Sequence, residues 1–301
     1  GVIGTGNFPK ALWPGVESWV GAAYNQYPPE LKQCFDLNKS QKAYEEDVLF
    51  SGMGLAPQIS DGGSVTYGSM KQGYVNRYTM LKYGIGYQVT EDEIADNLYP
   101  KLVVARSRDA GNSIAQTIET VSANVYNRAT NGSYVGGDGV SLLNTAHPIV
   151  GGTFANKPVN DVELSEVAVE DGIIAIGGYV NDAGLIISCK ARKLIIPRQL
   201  TFTAERIIKN PFQPDTAERN INAMYQLSSI PEGYVVNHYF TDPDAWFIKT
   251  DIADGMKFFM RQDVSARNDN EFDTGNAKYK VTVRFAVGWT DPRTLYGSIG
   301  A

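Results

Sequence analysis

Residues 90–125 read TEDEIADNLYPKLVVARSRDAGNSIAQTIETVSANV, and their periodicity decides the fold. Thr90 and Glu93 have the spacing of a capping box, in which each side chain bonds the other residue's backbone N–H at the start of a helix. Apolar residues then recur at steps of three to five residues, which predicts a helix of about 35 residues with one narrow apolar stripe. The stripe consists of Ile94, Leu98, Leu102, Ala105, Ala110, Ile114, Ile118, Val121 and Val125.

The side of this helix opposite the stripe is polar, so we expect one face to pack on a sheet and the other to meet water or a partner. Pro100 cannot donate to the helical hydrogen-bond ladder, and we expect it to kink or restart the helix near its beginning. The polar face consists of Arg106, Arg108, Asp109, Asn112, Gln116, Glu119 and Asn124.

The sequence before the helix predicts a long β-hairpin. Residues 65–67 (VTY) lead to a glycine-containing turn at 71–73, and residues 74–89 return with regular alternation. Both faces hold mainly Gly, Tyr, Lys, Asn and Gln, and an isolated two-stranded ribbon is only marginally stable in water. We therefore expect this hairpin to lie on a neighbouring surface.

Residues 1–50 combine prolines with large aromatic side chains, and only a short helical pattern covers Glu30–Asp47. Such a segment has too little periodicity to form its own core and too many apolar groups to be a solvated linker. The sequence therefore predicts an arm that packs on another element.

Helical and extended patterns alternate beyond a glycine-rich connection at Asn131–Gly139. The predicted helices run from Leu164 to about Tyr179 and from Pro197 to about Lys209. The predicted strands are Leu185–Ile196, Tyr225–Ile230, Tyr234–Tyr239, Ala245–Lys249, Lys257–Arg261 and Lys278–Trp289, of which the second and third form a hairpin. This part of the chain therefore has α/β character.

The composition is that of an ordinary globular protein, with 301 residues, 43% hydrophobic and 20% charged. This length is enough for one large domain or two modest ones. The net charge of −6 argues against a dedicated nucleic-acid binder, which needs clustered Lys and Arg. No window approaches the roughly 18 apolar residues of a membrane span, and the start lacks the features of a signal peptide. We expect a soluble protein that stays inside the cell where it is made.

Few groups in the sequence are suited to catalysis. There is no GxSxG nucleophile elbow, HExxH zinc motif or Walker phosphate loop. His147 and His238 lie in a turn context and at the end of a predicted strand, where structural or surface roles are expected. We predict no catalytic, cofactor-binding or metal-binding residues. The alternative from another class is a hydrolase or binding module with a sparse site built on Asp138, His147 and Asp182.

The cysteines and the acidic stretch near the C-terminus also indicate no site. Cys34 and Cys189 lie far apart in no CxxC arrangement, so we predict buried, reduced thiols rather than a disulfide or a zinc site. Residues 269–273 lack the glycine and terminal glutamate of an EF-hand loop, and we interpret them as a solvated loop.

The order of the predicted parts resembles the major capsid proteins of tailed bacteriophages, which have the Hong Kong 97-type fold. Several local stretches are similar to the Mu-like major head subunit family. They are GDGVSLLNTAHP at 137–148, LIIPRQL at 194–200 followed by Ala204, YFTDPDAW at 239–246, NEFDT at 270–274 and RFAVGWTDPR at 284–293. The resemblance covers about residues 50–301 and rests on the order of these stretches rather than on any one of them.

The resemblance implies an α+β capsid fold with named parts. These are an N-arm at 1–50, a long hairpin called the E-loop at 51–90, a P-domain with a long spine helix and a β-sheet at 91–150, an α/β A-domain at 151–240, and returning P-domain strands at 241–301. The candidate intersubunit residues of the E-loop are Tyr67, Lys71, Tyr74, Arg77 and Tyr78.

The function implied by the resemblance is that of a major capsid protein without enzymatic activity, cofactor, metal or membrane. Copies would assemble as hexamers and pentamers into an icosahedral shell that encloses double-stranded DNA. Assembly in the bacterial host cytoplasm would involve a scaffolding protein, a maturation protease, a portal and, in some relatives, a decoration protein. The nearest alternative is an encapsulin-like shell that encloses protein cargo.

Overall fold

The structure, a computed structural model, describes residues 9–68, 70, 72–90, 92–93, 99–212, 220–271 and 275–300. Its helices are α1 (Pro9–Tyr24), α2 (Leu31–Cys34), α3 (Tyr99–Asn127), α4 (Glu166–Gly177), α5 (Thr201–Lys209) and α6 (Ala223–Leu227). Its strands are β1 (Asp36–Lys39), β2 (Tyr44–Phe50), β3 (Gln72–Thr79), β4 (Leu81–Val89), β5 (His147–Ile149), β6 (Gly152–Phe154), β7 (Ala191–Pro197), β8 (Tyr234–Asn237), β9 (Trp246–Thr250), β10 (Met256–Asn270), β11 (Ala277–Trp289) and β12 (Leu295–Ser298).

Two four-stranded sheets organise the described chain. The first sheet has the strand order β1-β10-β11-β4, and the second sheet has the order β12-β9-β7-β8. Helix α3 packs on one face of the first sheet, and α1 packs on α3. One hydrophobic core lies between these helices and the first sheet, and another surrounds the second sheet. No helix in the described ranges is long and apolar enough to span a membrane.

The capping box before the long helix is confirmed. The Thr90 N–H donates to Glu93 Oε2 at 3.1 Å, and the Glu93 N–H donates to Thr90 Oγ1 at 3.2 Å. Ile94 and Leu98 lie outside the described residues, so the kink or restart at Pro100 stays a prediction. Pro100 is the second residue of α3, where its missing N–H removes no helical hydrogen bond.

The apolar stripe of α3 is confirmed at its centre, where Ala110, Ile114 and Ile118 are buried in the core that also holds β11. Buried residues of α3 extend beyond this stripe, because α1 lies beside the sheet and also packs on α3. A Cβ at Gly111 would lie 2.6 Å from the carbonyl oxygen of Val20 on α1, so glycine is required for this close approach.

Glu119 belongs to the face that we expected to meet water or a partner, but its residue is only 6% exposed within its own subunit. Its Oε2 accepts the Leu31 N–H at 3.1 Å, at the first turn of α2. Burial, and after it the neighbouring Glu30 carboxylate, raises the pKa of Glu119 to about 7. The polar face predicted for α3 is therefore partly an attachment point for the arm.

The hairpin predicted at residues 65–89 is wrong in its pairing. β3 pairs antiparallel with β2, whereas β4 pairs with β11 of the first sheet. Met80 alone separates β3 from β4, so the alternation continues unbroken although the two halves join different sheets. Residues 65–67 lie in no strand.

β2, the strand that pairs with β3, begins inside Glu30–Asp47, where the sequence pattern predicts a helix. That helix is confirmed only over α2. β1 and the start of β2 occupy the rest of that range. Its charged residues suit a helix by propensity, but pairing with another strand overrides a preference of this size. The arm also contains a helix that the sequence pattern did not indicate, α1.

The region around the second sheet follows the predictions in its first half and departs from them in its second. Ser165 caps α4 by accepting the Ala168 N–H at 3.2 Å, and α5 lies within the helix predicted after Pro197. The hairpin predicted at 225–239 is wrong. Asn222 instead caps α6 by accepting from Met224 N–H at 3.0 Å, and β8 runs parallel to β7.

Candidate assembly interface

Strands β2 and β3 form a two-stranded ribbon beside the first sheet, and residues 51–71 connect the two strands. The connection carries apolar side chains that nothing in the described chain covers. Tyr67 is 95% exposed and Leu55 is 81% exposed. Contiguous exposed apolar groups of this kind mark contact sites with other proteins. The exposed apolar residues of the ribbon and its connection are Tyr44, Phe50, Met53, Leu55, Ile59, Val65, Tyr67, Met70 and Val75.

The candidate intersubunit residues fall into two groups. Tyr67 and Arg77 are exposed, and the Arg77 guanidinium lies 3.8 Å from the centre of the Tyr44 ring on the paired strand. Lys71 lies outside the described residues. Tyr74 and Tyr78 contact their own subunit, and Tyr74 Oη donates to the Pro148 carbonyl at 3.2 Å.

Tyr78 holds the root of the ribbon on the first sheet. Its residue is 5% exposed, and its ring centre lies 5.0 Å from that of Phe259 on β10. The Thr290 hydroxyl donates to Asp47 Oδ2 at 2.9 Å, so the Tyr78 hydroxyl donates to Thr290 Oγ1 at 2.6 Å. Burial raises the pKa of Tyr78. Tyr78 and Tyr74 thus fix the ribbon on its own subunit at two points along β3, and the exposed surface that remains lies mainly in the connection.

A buried polar cluster beside the ribbon's root joins two of the stretches singled out in the sequence. Asn156 Nδ2 donates to the carbonyls of Leu142 and Pro292 at 2.7 and 3.1 Å. Its Oδ1 must therefore accept, and it lies 3.1 Å from His147 Nε2. The other ring nitrogen of His147 lies 2.6 Å from Asp138 Oδ2. His147 is 1% exposed, so its role here is structural.

Asp182 and Arg293 close the same cluster. Arg293 Nη2 lies 2.5 Å from Asp182 Oδ1, and its Nε donates to the Val180 carbonyl at 2.8 Å. The cavity between these groups has a volume of about 10 Å³, whereas ligand sites measure hundreds of cubic ångströms. Asp138, His147 and Asp182 do converge as the hydrolase alternative requires, but they fill a corner of the fold instead of lining a cleft.

The second sheet carries two separate exposed apolar edges. Val167 and Ile174 are exposed on α4, which packs beside β12. Phe202 on α5 and Leu227 on α6 are exposed beside β8, at the other end of the sheet. Two different apolar edges on one body suit head-to-tail contacts, which close into rings. The sequence does not predict these edges, because its pattern cannot distinguish an isolated exposed apolar residue from a core residue.

The two cysteines are free and buried in the described chain. Burial raises the pKa of Cys34 to about 12 and that of Cys189 to about 11, and both are free, buried thiols as predicted. A thiol held neutral in this way is a poor nucleophile and a poor metal ligand. The described residues also contain no group of three His, Cys, Asp or Glu side chains able to hold a metal ion.

Residues 74–298 match a protein family described as phage capsid protein. The chain belongs to the phage capsid protein family. As a member of this family it is a structural subunit of the virion capsid. No sequence among the curated proteins matches it.

Solved structures share the fold of this capsid protein at low sequence identity. The virus-like particle from Pyrococcus furiosus is 13% identical with a TM-score of 0.56, over 94% of this chain and 97% of that chain. Mycobacterium phage Adephagia gives 12% identity and a TM-score of 0.53, over 91% of each chain. The capsid of an empty GTA particle is 11% identical with a TM-score of 0.54, over 91% of this chain and 90% of that chain. The predicted α+β fold of the Hong Kong 97 type is confirmed.

Proposed function

We propose that this capsid protein is the major head subunit of a tailed bacteriophage and that its copies assemble as hexamers and pentamers into an icosahedral shell. The observation that carries this proposal is the connection of the ribbon with its exposed apolar side chains, since exposed apolar patches mark contact sites with other proteins. Obligate interfaces between subunits commonly bury more than about 2,000 Å², and an extended ribbon supplies such area without enlarging the core.

The two apolar edges of the second sheet support the ring-shaped units. Contact between the α4 edge of one copy and the α5–α6 edge of the next repeats in one direction, and it closes when the rotation divides a full turn. The division into N-arm, E-loop, P-domain and A-domain is part of this proposal. We predict an E-loop at 51–90, and within this proposal we restrict it to β2, β3 and their connection, since β4 pairs with β11.

Membership of the Mu-like major head subunit family belongs to the same proposal. It is supported by two of the stretches on which that resemblance rests, 137–148 and 284–293. They are distant in sequence, yet Asn156 bonds to carbonyls in or beside both of them. Motifs that meet in one buried cluster stabilise a part of the fold that related subunits share.

The partners follow from the proposed role. The shell encloses double-stranded DNA, and the net charge of −6 suits a wall that surrounds DNA without binding it tightly. Assembly takes place in the host cytoplasm around a scaffolding protein, with a portal, a maturation protease and, where present, a decoration protein. The subunit has no catalytic role, in keeping with the closed corner around His147.

Electron microscopy of the expressed chain, together with nucleic-acid analysis of purified particles, tests the proposal. Closed particles or ring-shaped capsomers are expected, and particles from infected cells should hold nuclease-protected double-stranded DNA. Particles filled with protein cargo would instead identify an encapsulin-like shell. A chain that stays monomeric at high concentration would contradict the proposal.

A further inference from the structure

Residues 30–36, which we call the joint, contain α2 and lie where the two sheets meet. Leu31, Cys34 and Phe35 are buried in the core between the first sheet and α3. The Tyr126 hydroxyl of α3 donates to the Cys34 carbonyl at 3.2 Å. The joint is therefore held on the long helix both by packing and by hydrogen bonds.

The joint also makes polar contacts with the second sheet. Glu30 Oε2 accepts the backbone N–H of His238, the residue after β8, at 2.9 Å, and Glu30 Oε1 lies 2.6 Å from His238 Nδ1. Two lysines of that sheet bind farther along the joint: Lys193 Nζ of β7 donates to Gln33 Oε1 at 3.0 Å, and Lys249 Nζ of β9 donates to Asp36 Oδ1 at 3.0 Å. The second sheet and α3 are thus connected through one short segment.

Two carboxylates lie close together at the start of the joint. Glu119 of α3 accepts the Leu31 N–H at 3.1 Å and is 6% exposed, and Glu30 is the residue before Leu31. Burial, and after it the Glu30 carboxylate, raises the pKa of Glu119 to about 7. Loss of the Glu119 proton therefore puts a second negative charge beside Glu30 in a largely buried place, which is unfavourable.

Within the described ranges no basic group faces Glu119 to offset this charge. Besides Glu30, the titratable groups that interact with it are Tyr24 of α1, Cys34 of α2 and Tyr239 after β8, and Asp263 of β10 interacts in turn with Tyr24. The nearby basic groups lie against other carboxylates: His238 against Glu30, Lys193 against Glu232 and Lys249 against Asp36. An ionised Glu119 thus has no opposite charge to stabilise it.

We propose that the joint is a pH-sensitive switch, which stays closed on α3 while Glu119 keeps its proton and opens when loss of that proton leaves two carboxylate charges side by side. An opened joint exposes α2 and lets the second sheet change its angle to α3, because the joint connects the two. The switch lies within one subunit, so this inference goes beyond the proposed shell function and does not depend on it.

The direction of the effect follows from the linkage between proton binding and opening. In the closed joint the pKa of Glu119 is raised to about 7, whereas in an open joint the hydrated carboxyl returns towards its ordinary value of 4.5. The closed form binds the proton more tightly, so it is favoured most at low pH. Opening should become more frequent as pH rises from about 4.5 through 7 and should level off above that range.

The two native thiols test the proposal without any substitution. Cys34 lies in the joint, whereas Cys189 is buried in the core of the second sheet. The chain is treated with a thiol-alkylating reagent at a series of pH values, and mass spectrometry measures the labelling rate of each cysteine. Both react as thiolates once exposed, so the ratio of the two rates removes the ordinary pH dependence of the reaction. The ratio of Cys34 to Cys189 should rise at least about tenfold between about pH 5 and about pH 8 and then stay constant.

Three variants assign the effect to its carboxylate. Glu119→Gln keeps an acceptor for the Leu31 N–H but has no proton to lose, so its labelling ratio should not change with pH. Glu30→Gln removes the neighbouring charge, so its ratio should rise less and reach its plateau at lower pH. The matched control, Glu163→Gln at an exposed position, should follow the unmodified chain. Circular dichroism shows whether each variant is folded, and Glu30→Gln decides the matter if Glu119→Gln is not.

Hydrogen exchange gives a second readout of the same opening. The Phe35 N–H, which donates to the Leu31 carbonyl at 2.9 Å, should lose protection as pH rises, after correction for the intrinsic exchange rate. The buried Val283 of β11 should keep its protection. Loss of protection at both positions would mean that the whole subunit unfolds, which would count against a local switch.

The remaining outcomes separate this inference from the shell function. A labelling ratio that is independent of pH in the unmodified chain would overturn the switch, and so would identical profiles for the unmodified chain and Glu30→Gln. Both readouts use the free subunit. Failure of the chain to form particles would therefore overturn the proposed shell function and leave the switch in place.

Discussion

Two antiparallel ribbons meet in this subunit, and they are stabilised in opposite ways. In β10–β11 one face is covered by α3, and alternate residues of β11 from Tyr279 to Phe285 are buried. In β2–β3 only Tyr78 is buried, and the other residues of the two strands are partly or fully exposed, although Tyr74 and Asn76 bond to Pro148 and Thr290. The same secondary structure therefore belongs to the subunit's own core in one case and stays largely exposed in the other. What distinguishes the two is whether a second layer lies on the ribbon.

The largest expected difference comes from placing the same charge in each ribbon. Val283→Asp puts a carboxylate at a fully buried position of β11, where an unpaired ion costs several kcal/mol. Soluble expression should be lost. Val75→Asp, at a 42% exposed position of β3, should leave the subunit folded. Circular dichroism and solubility measure both variants, and equal damage would mean that β3 belongs to a core.

The second largest effect concerns assembly alone. Replacing residues 53–68 by a short Gly/Ser linker removes the exposed connection but keeps both strands and the root contacts of Tyr78. Changes in loop length alter closure entropy by only about (3/2)RT ln n, so the melting temperature should hardly change. Particles should disappear from sedimentation profiles. A deletion variant that assembles normally would show that the connection makes no essential contact.

A smaller effect is expected at the ribbon's root. Tyr78→Phe keeps the ring against Phe259 but removes the hydroxyl that donates to Thr290, and the lost hydrogen bond should lower the free energy of unfolding by about 0.5–1.5 kcal/mol. Arg77→Ala, one residue away on the exposed side, should change it by less. Urea denaturation of both variants measures the difference. Stability that is unchanged in Tyr78→Phe would mean that the ring alone holds the root.

Another expected effect is a pH dependence on the core side. Because burial raises the pKa of Glu119 from its usual 4.5 to about 7, the folded state holds this proton more tightly than the unfolded state does. Stability should therefore fall as pH rises from about 4.5 through 7 and level off above that range. In Glu119→Gln this part of the pH dependence should vanish. Thermal melts at a series of pH values give the comparison, and parallel profiles for both proteins would contradict it.

The sequence predicts those parts of the subunit in which a local signal and the tertiary contact agree. The Thr90–Glu93 box, the α3 stripe and the alternation of β11 are such parts, because each is set by residues that are close in the chain. The order of parts and the scattered motifs were enough to indicate the Hong Kong 97-type fold. The buried thiols and the structural role of His147 also followed from local context.

The pairing of strands was not predictable in the same way. β3 and β4 read as one strand, since Met80 interrupts neither the alternation nor the composition, and nothing local tells which half joins which sheet. Glu119 reads as a solvent-facing residue because its partner, the Leu31 N–H, belongs to a segment 88 residues away. The site residues Tyr74 and Tyr78 were chosen by composition, whereas their contacts with Pro148 and Thr290 depend on how the first sheet is covered.

Because a single residue separates β3 from β4, the ribbon is connected to β4 rigidly and not by a flexible linker. Met80 is buried, and its N–H donates to the Ala43 carbonyl at 3.1 Å, so there is no slack between the ribbon and the body of the subunit. A ribbon that tilts must take β4 with it, and through β4 the long helix that packs on it. In a closed shell the angle between the ribbon and β4 would then set the angle between neighbouring subunits, and hence the curvature of the shell.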